Sequence, residues 1–250
     1  MQAEKDIILL DLRKLVRRFG GFTVINDVSL SITKGEMRCI IGPNGAGKTT
    51  LFNLITGDLK PNSGRVIFQD KEITKFNPEK ICRIGITRKF QTPTLFSNLK
   101  VIENILMAGY GKHKISELLF KKVDAQDINR TLAILEVIKL EEKKDVLASD
   151  LSHGEKQWLE IGMLLRNEPK LLLFDEPTAG MTRQETLETA HLIRNISMNL
   201  TTIVIEHDLK FLREIGENVT VLHNGKILAE GTFDEIEQNE NVKNVYLGRE

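Results

Sequence analysis

Apolar residues occur in two rhythms along this chain, short unbroken runs and longer stretches at helical spacing, and the two alternate. That alternation predicts an α/β fold built on a mainly parallel sheet. Met37–Ile41 reads as a strand, and the glycine-rich segment after it leads into a helix from about Lys48 to Thr56, stopped by Gly57 as a C-terminal cap. Leu171–Phe174 is apolar at every position, so both of its faces are expected to be buried, as in a central parallel strand. Thr201–Ile205 reads the same way. Ile7–Leu12, Val28–Ile32 and Arg65–Phe68 alternate or end in turns, which suits an antiparallel sheet near the N-terminus. Val219–Leu222 and Lys226–Leu228 flank His223-Asn224-Gly225, a strong hairpin signal. Between about Thr92 and Leu165 the spacing is helical, over Val101–Ala108, Ser116–Lys121 and Asp127–Leu140. This predicts one domain over 1–250, with a core of about 1–91 and 166–250 and an inserted helical subdomain of about 92–165.

Composition narrows the setting. The chain has 250 residues, 41% hydrophobic, enough to bury a large core. Lys+Arg and Asp+Glu are both 35, and no basic tail or basic-aromatic strip points to nucleic acid. Cys39 and Cys82 sit in apolar segments without metal-ligand spacing, and read as reduced core thiols of a cytosolic protein. Met1–Asp6 is polar and shows no signal-peptide pattern, and no apolar run approaches the ~18 residues needed to span a bilayer. Any membrane-spanning part is therefore expected in another chain.

The candidate chemistry begins at Gly42-Pro43-Asn44-Gly45-Ala46-Gly47-Lys48-Thr49, followed by Thr50. This fits G-x-x-x-x-G-K-[ST], in which glycines let successive N–H groups turn toward phosphate oxygens and the following helix adds its positive dipole end. Lys48 is placed to reach the β- and γ-phosphates, and the Thr49 hydroxyl to ligate Mg²⁺. Asp175 and Glu176 follow the strand Leu171–Phe174, on the side of a parallel sheet where ligands gather. Asp175 suits Mg²⁺, and Glu176 suits the polarisation of an attacking water. His207, after Thr201–Ile205, could hydrogen-bond the γ-phosphate or that water, and Gln91 is a polar group at a further strand end. Ser152 and Glu155 form an S-x-x-E capping box opening a helix over Lys156–Leu165. A plain cap explains it, but a capped helix start is also an anion site.

Taken together these residues resemble the nucleotide-binding subunits of ABC transporters, over nearly the whole chain. The order matches that family's P-loop NTPase (RecA-like) cassette: Walker A from Gly42 to Thr49, Gln91, the signature from Leu151 to Glu155, Walker B from Leu171 to Asp175, then Glu176 and His207. The resemblance implies ATP and Mg²⁺ as cofactors, with Thr49, Gln91 and Asp175 toward the metal, and Lys48, Gln91, Glu176 and His207 as catalytic residues. Phe19 matches the aromatic that stacks on adenine. The resemblance also implies a head-to-tail dimer, with the same chain or a paralogous ATPase. There each ATP touches Walker A of one subunit and Ser152 and Gly154 of the other. Transmembrane permease subunits would dock near Thr92–Phe96, a solute-binding protein would act indirectly, and the chain would lie at the cytoplasmic face of the inner membrane.

Two motifs depart from the family pattern. His153 and Glu155 stand in Leu-Ser-His-Gly-Glu where Leu-Ser-Gly-Gly-Gln is usual, and Thr182 stands where many members carry aspartate. Phe90-Gln-Thr-Pro-Thr-Leu-Phe and Val101-Ile-Glu-Asn look like the branched-chain amino acid importer subgroup. The signature with Ala179-Gly-Met-Thr is most similar to subunits of bacterial urea importers, so urea is the expected solute, with branched-chain amino acid import or lipid or polysaccharide export as alternatives. A P-loop kinase or GTPase lacks a use for the signature and His207, and the chain has no Asn-Lys-x-Asp motif. Non-transport ABC ATPases usually carry two nucleotide domains or long insertions, and a non-hydrolysing regulator would not need Glu176.

Overall fold

The computed structural model describes residues 7–89, 95–109 and 124–247. Gln91, positions 92–94, the Ser116–Lys121 stretch and the polar residues 1–6 lie outside the described residues. Two sheets are present among those described. The first is antiparallel, in the order β2 (Phe22–Thr33), β1 (Ile8–Phe19), β4 (Ser63–Phe68), β5 (Lys71–Glu72). The second has six strands in the order β10 (Lys226–Gly231), β9 (Asn218–His223), β3 (Met37–Ile41), β8 (Thr201–Ile205), β7 (Leu171–Asp175), β6 (Ile86–Lys89). All its described pairings are parallel except the β9–β10 hairpin. The turn of that hairpin places Asn224 at φ 47° and Gly225 at φ 72°, the left-handed geometry that Asn-Gly favours.

Because strand side chains alternate, the six-stranded sheet divides the core in two. Ile40, Leu171, Leu173, Ile203 and Ile205 face helix α1 (Lys48–Ile55) and, beyond it, the antiparallel sheet. Cys39, Ile41, Leu172, Phe174 and Val204 face the other way, toward a layer of helices. That layer includes α3 (Val101–Gly109), α4 (Ala125–Val137), α5 (His153–Leu165), α6 (Arg183–Ser197) and α7 (Leu209–Ile215). Leu171, Leu172, Leu173 and Phe174 are fully buried, which accounts for their unbroken apolar run; each contributes about 1.5–3 kcal/mol. A short α2 (Pro78–Arg83) precedes β6, and α8 (Phe233–Gln238) and α9 (Glu240–Leu247) close the chain.

Helix α5 is fastened to its surroundings by buried polar links. Lys89 of β6, itself fully buried, reaches Gln157 and lies 3.4 Å from Glu160, both on α5. Burial pulls the Lys89 ammonium below the usual lysine range, and the nearby Glu160 opposes that pull. On the opposite flank the Trp158 indole N–H donates to the Thr189 hydroxyl of α6 at 2.8 Å.

Several elements differ from the expectation. β1 and β2 run 12 residues each, past Leu12 and upstream of Val28. Irregularities in their register, with Lys14 and Asp27 at positive φ, break the alternation that would have marked their full length. Helix α5 begins at His153 and not Lys156, because Ser152 is its N-cap. Cys82 is exposed, not a core thiol: Ile81 takes the buried face of α2, and the next residue points ~100° away.

Candidate functional site

The loop joining β3 to α1 carries the densest chemistry. Gly42 has φ 154°, and a Cβ there would lie 2.1 Å from the Leu222 carbonyl oxygen. At Gly47, φ is 105° and a Cβ would lie 2.8 Å from the Val24 carbonyl oxygen, so neither position admits a larger residue without displacing backbone. Gly47 also serves as the N-cap of α1, so no side chain caps the helix and no acid occupies its first turn. The leading N–H groups of α1 therefore face the loop, ready for an anion. Lys48 Nζ donates to the carbonyls of Gly42 and Pro43 at 2.7 and 3.1 Å. Burial lowers its pKa, opposed by Glu176 and then Asp175, which favour its charged form. An open cavity of ≈ 210 Å³ is lined by Val24, Glu176 and residues 44–50. The structure thus brings Asn44, Gly45, Ala46, Gly47, Lys48, Thr49 and Thr50 around one space with Glu176.

Asp175 ends β7 and is 2% exposed. Its Oδ2 accepts from Arg88 Nη2 of β6 at 2.5 Å, while Oδ1 is buried without a hydrogen-bond partner among the described residues. A buried carboxylate oxygen with spare lone pairs, on a residue close enough to Lys48 to favour its charged form, fits a hard divalent cation such as Mg²⁺. Arg88 also donates to Asn53 of α1 at 2.5 Å, so it joins three elements. Sequence reasoning passed over Arg88 and Lys89, although two charged residues inside a four-residue strand are the signal that could have flagged them.

Glu176 sits at φ 48°, a left-handed conformation that costs a non-glycine residue about 1–3 kcal/mol. Its N–H is held by the Ile205 carbonyl at 2.9 Å, which fixes the turn after β7. His207 Nδ1 lies 3.7 Å from Glu176 Oε1 and 3.7 Å from Glu206 Oε2. Glu206, fully buried, accepts from Thr178 N–H and hydroxyl and from His207 N–H, so it braces the segment that presents His207. Phe19, at the end of β1, is 42% exposed, with the Arg17 guanidinium 4.5 Å from its ring centre. Gln91 lies outside the described residues.

Ser152 and Gly154 do not line this cavity. They begin α5, where the Glu155 N–H donates to Ser152 Oγ at 3.2 Å and the Ser152 N–H to Glu155 Oε2 at 3.0 Å, the reciprocal box expected there. Thr182 caps α6 with Glu185 in the same manner, a T-x-x-E box that sequence reasoning missed. His153 reaches the loop that leads to Thr182: its Nε2 lies 3.2 Å from the Ala179 carbonyl oxygen, three residues before Thr182.

Glu155 makes a pH test. Burial tends to raise its pKa, but hydrogen bonds from Lys143 and Ser152 outweigh this and hold it below the usual carboxylate range. A carboxylate lowered on folding stabilises above its unfolded pKa, and that stability is lost as pH falls through the folded value. Glu155→Gln is therefore expected to lower the urea midpoint at neutral pH, with the gap to the parent protein closing once pH drops well below the usual carboxylate range. A gap that stays constant into acid would show that the charge contributes nothing.

Comparison with known proteins sets this geometry in a family. A family model described as ABC transporter matches residues 25–179. The high-affinity branched-chain amino acid transport ATP-binding protein LivG of Salmonella typhimurium is 38% identical over 249 residues, 96% of this chain and 98% of LivG. The chain belongs to the ABC transporter family. The probable LivG of Methanocaldococcus jannaschii is 35% identical, covering 96% of this chain and 97% of that protein. Among solved structures, the ADP conformation of MJ1267, an ATP-binding cassette of an ABC transporter, matches with a TM-score of 0.85 and 34% identity, covering 97% of this chain and all of the other. A nucleotide-free ATP-binding cassette from an ABC transporter matches at 0.82 and 33%. The fold is the ABC ATPase cassette, with its antiparallel N-terminal sheet and P-loop core, and the activity is ATP hydrolysis coupled to transport. No described helix is long and apolar enough to cross a membrane.

Proposed function

We propose that this ABC ATPase powers an importer of branched-chain amino acids or chemically similar small solutes, docked on permease subunits at the cytoplasmic face of the membrane. The observation that carries the hydrolytic part is the convergence of the α1 anion loop and Glu176 on one cavity. In this reading residues 42–50 bind the phosphates, Phe19 stacks on adenine, and Glu176 takes the proton of the attacking water while His207 steadies it. Thr49, Asp175 and Gln91 hold Mg²⁺, which when bound neutralises phosphate charge. Because Ser152 and Gly154 lie away from the cavity, they serve the nucleotide of a second subunit, packed head to tail. The helices between β6 and β7 form the unit that meets the permease, with the exposed Phe96 at its edge. A solute-binding protein acts beyond the membrane partner.

The choice of solute departs from the urea expectation. The relatives that support an importer are named for branched-chain amino acid transport, which favours the alternative. Urea stays as a second reading because the residues that resemble urea importers, His153 and the 179–182 loop, form one linked unit. The test is the assembled transporter, with its permeases and binding protein, in proteoliposomes. Leucine, isoleucine or valine in the lumen with the binding protein is expected to stimulate ATP hydrolysis, and urea is not. Stimulation by urea alone would reverse the choice, and none by either would remove the importer reading.

A further inference from the structure

The first turns of α5 and α6 lie against each other, and Glu185 divides its carboxylate between them. Oε2 accepts from the Thr182 N–H and the Thr182 hydroxyl, both at 2.9 Å. The other oxygen faces Gly154 so closely that a Cβ on that glycine would lie 2.7 Å from Oε1. Glu185 is held ionised first by Thr182, and further by the Gly154 N–H and by His153. The N-terminal end of α5, whose dipole favours negative charge, thus already faces an anion from its own chain. A side chain at Gly154 would push the carboxylate end away from this approach.

We propose that Glu185 is a positioning residue that occupies, within one subunit, the place at Gly154 which the γ-phosphate of the partner's ATP takes when two subunits close. The proposal rests on the head-to-tail reading given above. A carboxylate and a phosphate cannot share that position, because like charges so close repel strongly where solvent is excluded. Closure therefore requires Glu185 Oε1 to swing away from Gly154. Its other oxygen is bonded to Thr182, at the end of the turn that begins at Glu176, where the Ala179 N–H bonds the Glu176 carbonyl at 3.2 Å. Phosphate arriving at one subunit's α5 thus bears directly on the loop that carries the same subunit's Glu176.

The test uses Glu185→Gln in a Glu176→Gln background, which slows hydrolysis so that dimers can be weighed. The amide keeps the shape and a cap acceptor but removes the charge. Sedimentation with ATP is expected to show a dimer dissociation constant lower by about threefold or more, while ATP affinity of the monomer is unchanged. Glu185→Ala, which removes Oε1 altogether, is expected to shift the dimer in the same direction. A support that merely holds α5 and α6 together would weaken the dimer in both variants, and an unchanged or weaker dimer in folded protein overturns the proposal. If the Glu176→Gln parent itself forms no dimer with ATP, the head-to-tail reading fails and this inference with it. A parent dimer that the Glu185 variants leave no tighter defeats this inference alone.

Discussion

Glu176→Gln is expected to lower ATP turnover by about 10²–10⁴-fold while ATP still binds. The side chain lines the same cavity as the phosphate loop, and its backbone is held in a left-handed turn by the Ile205 carbonyl. Glutamine keeps the size and the neighbours but cannot accept a proton, so binding and chemistry separate. Lys48 loses one of the negative charges that favour its ammonium, a small change beside loss of the base. Steady-state phosphate release, with nucleotide affinity measured separately, checks both halves. Turnover within about tenfold of the parent would place the base on another residue.

Lys48→Met is expected to weaken ATP binding by roughly 10–100-fold, corresponding to the 1.5–3 kcal/mol typical of a hydrogen bond to a charged group. Nζ rests on two loop carbonyls within reach of the α1 N-terminus, and methionine fills its stem without the charge. The fold is expected to survive, because the chain's turn at Gly42 is set by its approach to Leu222 and not by Lys48. Titration with a fluorescent ATP analogue reads the change. Affinity within about twofold of the parent would mean that backbone N–H groups alone carry the phosphates.

The geometry of the candidate phosphate loop was legible in the residues because it is local: residues 44–50, which line the cavity, lie within one turn and one helix start. Asp175 and Glu176 were legible for a related reason, since the apolar run before them fixes which end of the strand they occupy. Arg88 and Lys89 were not, because their partners lie 35 to 87 positions away on α1, β7 and α5, and only packing brings them together. The full length of β1 and β2 was hidden by irregular register, and Cys82 by a helix too short to show its period. The T-x-x-E spacing of Thr182 and Glu185 went unread, and that Glu185 neighbours Gly154 was not legible at all, because it required the two helix starts to meet. The solute was least legible, because no residue of this chain touches it in the proposed reading.

The division of the core by the six-stranded sheet has a consequence for how such a subunit can change over time. In the proposed reading, side chains on the α1 face support the phosphate loop, whereas those on the helical face support the helices proposed to meet a membrane partner. Since neighbouring residues of one strand, such as Leu171 and Leu172, belong to different compartments, a substitution in one repacks a layer that the other does not touch. On that reading the helical layer is free to be tailored to a new permease while the nucleotide layer stays as it is. Arg88 and Lys89, adjacent in β6 and tied to α1 and α5 respectively, are the seam at which the two histories have to agree.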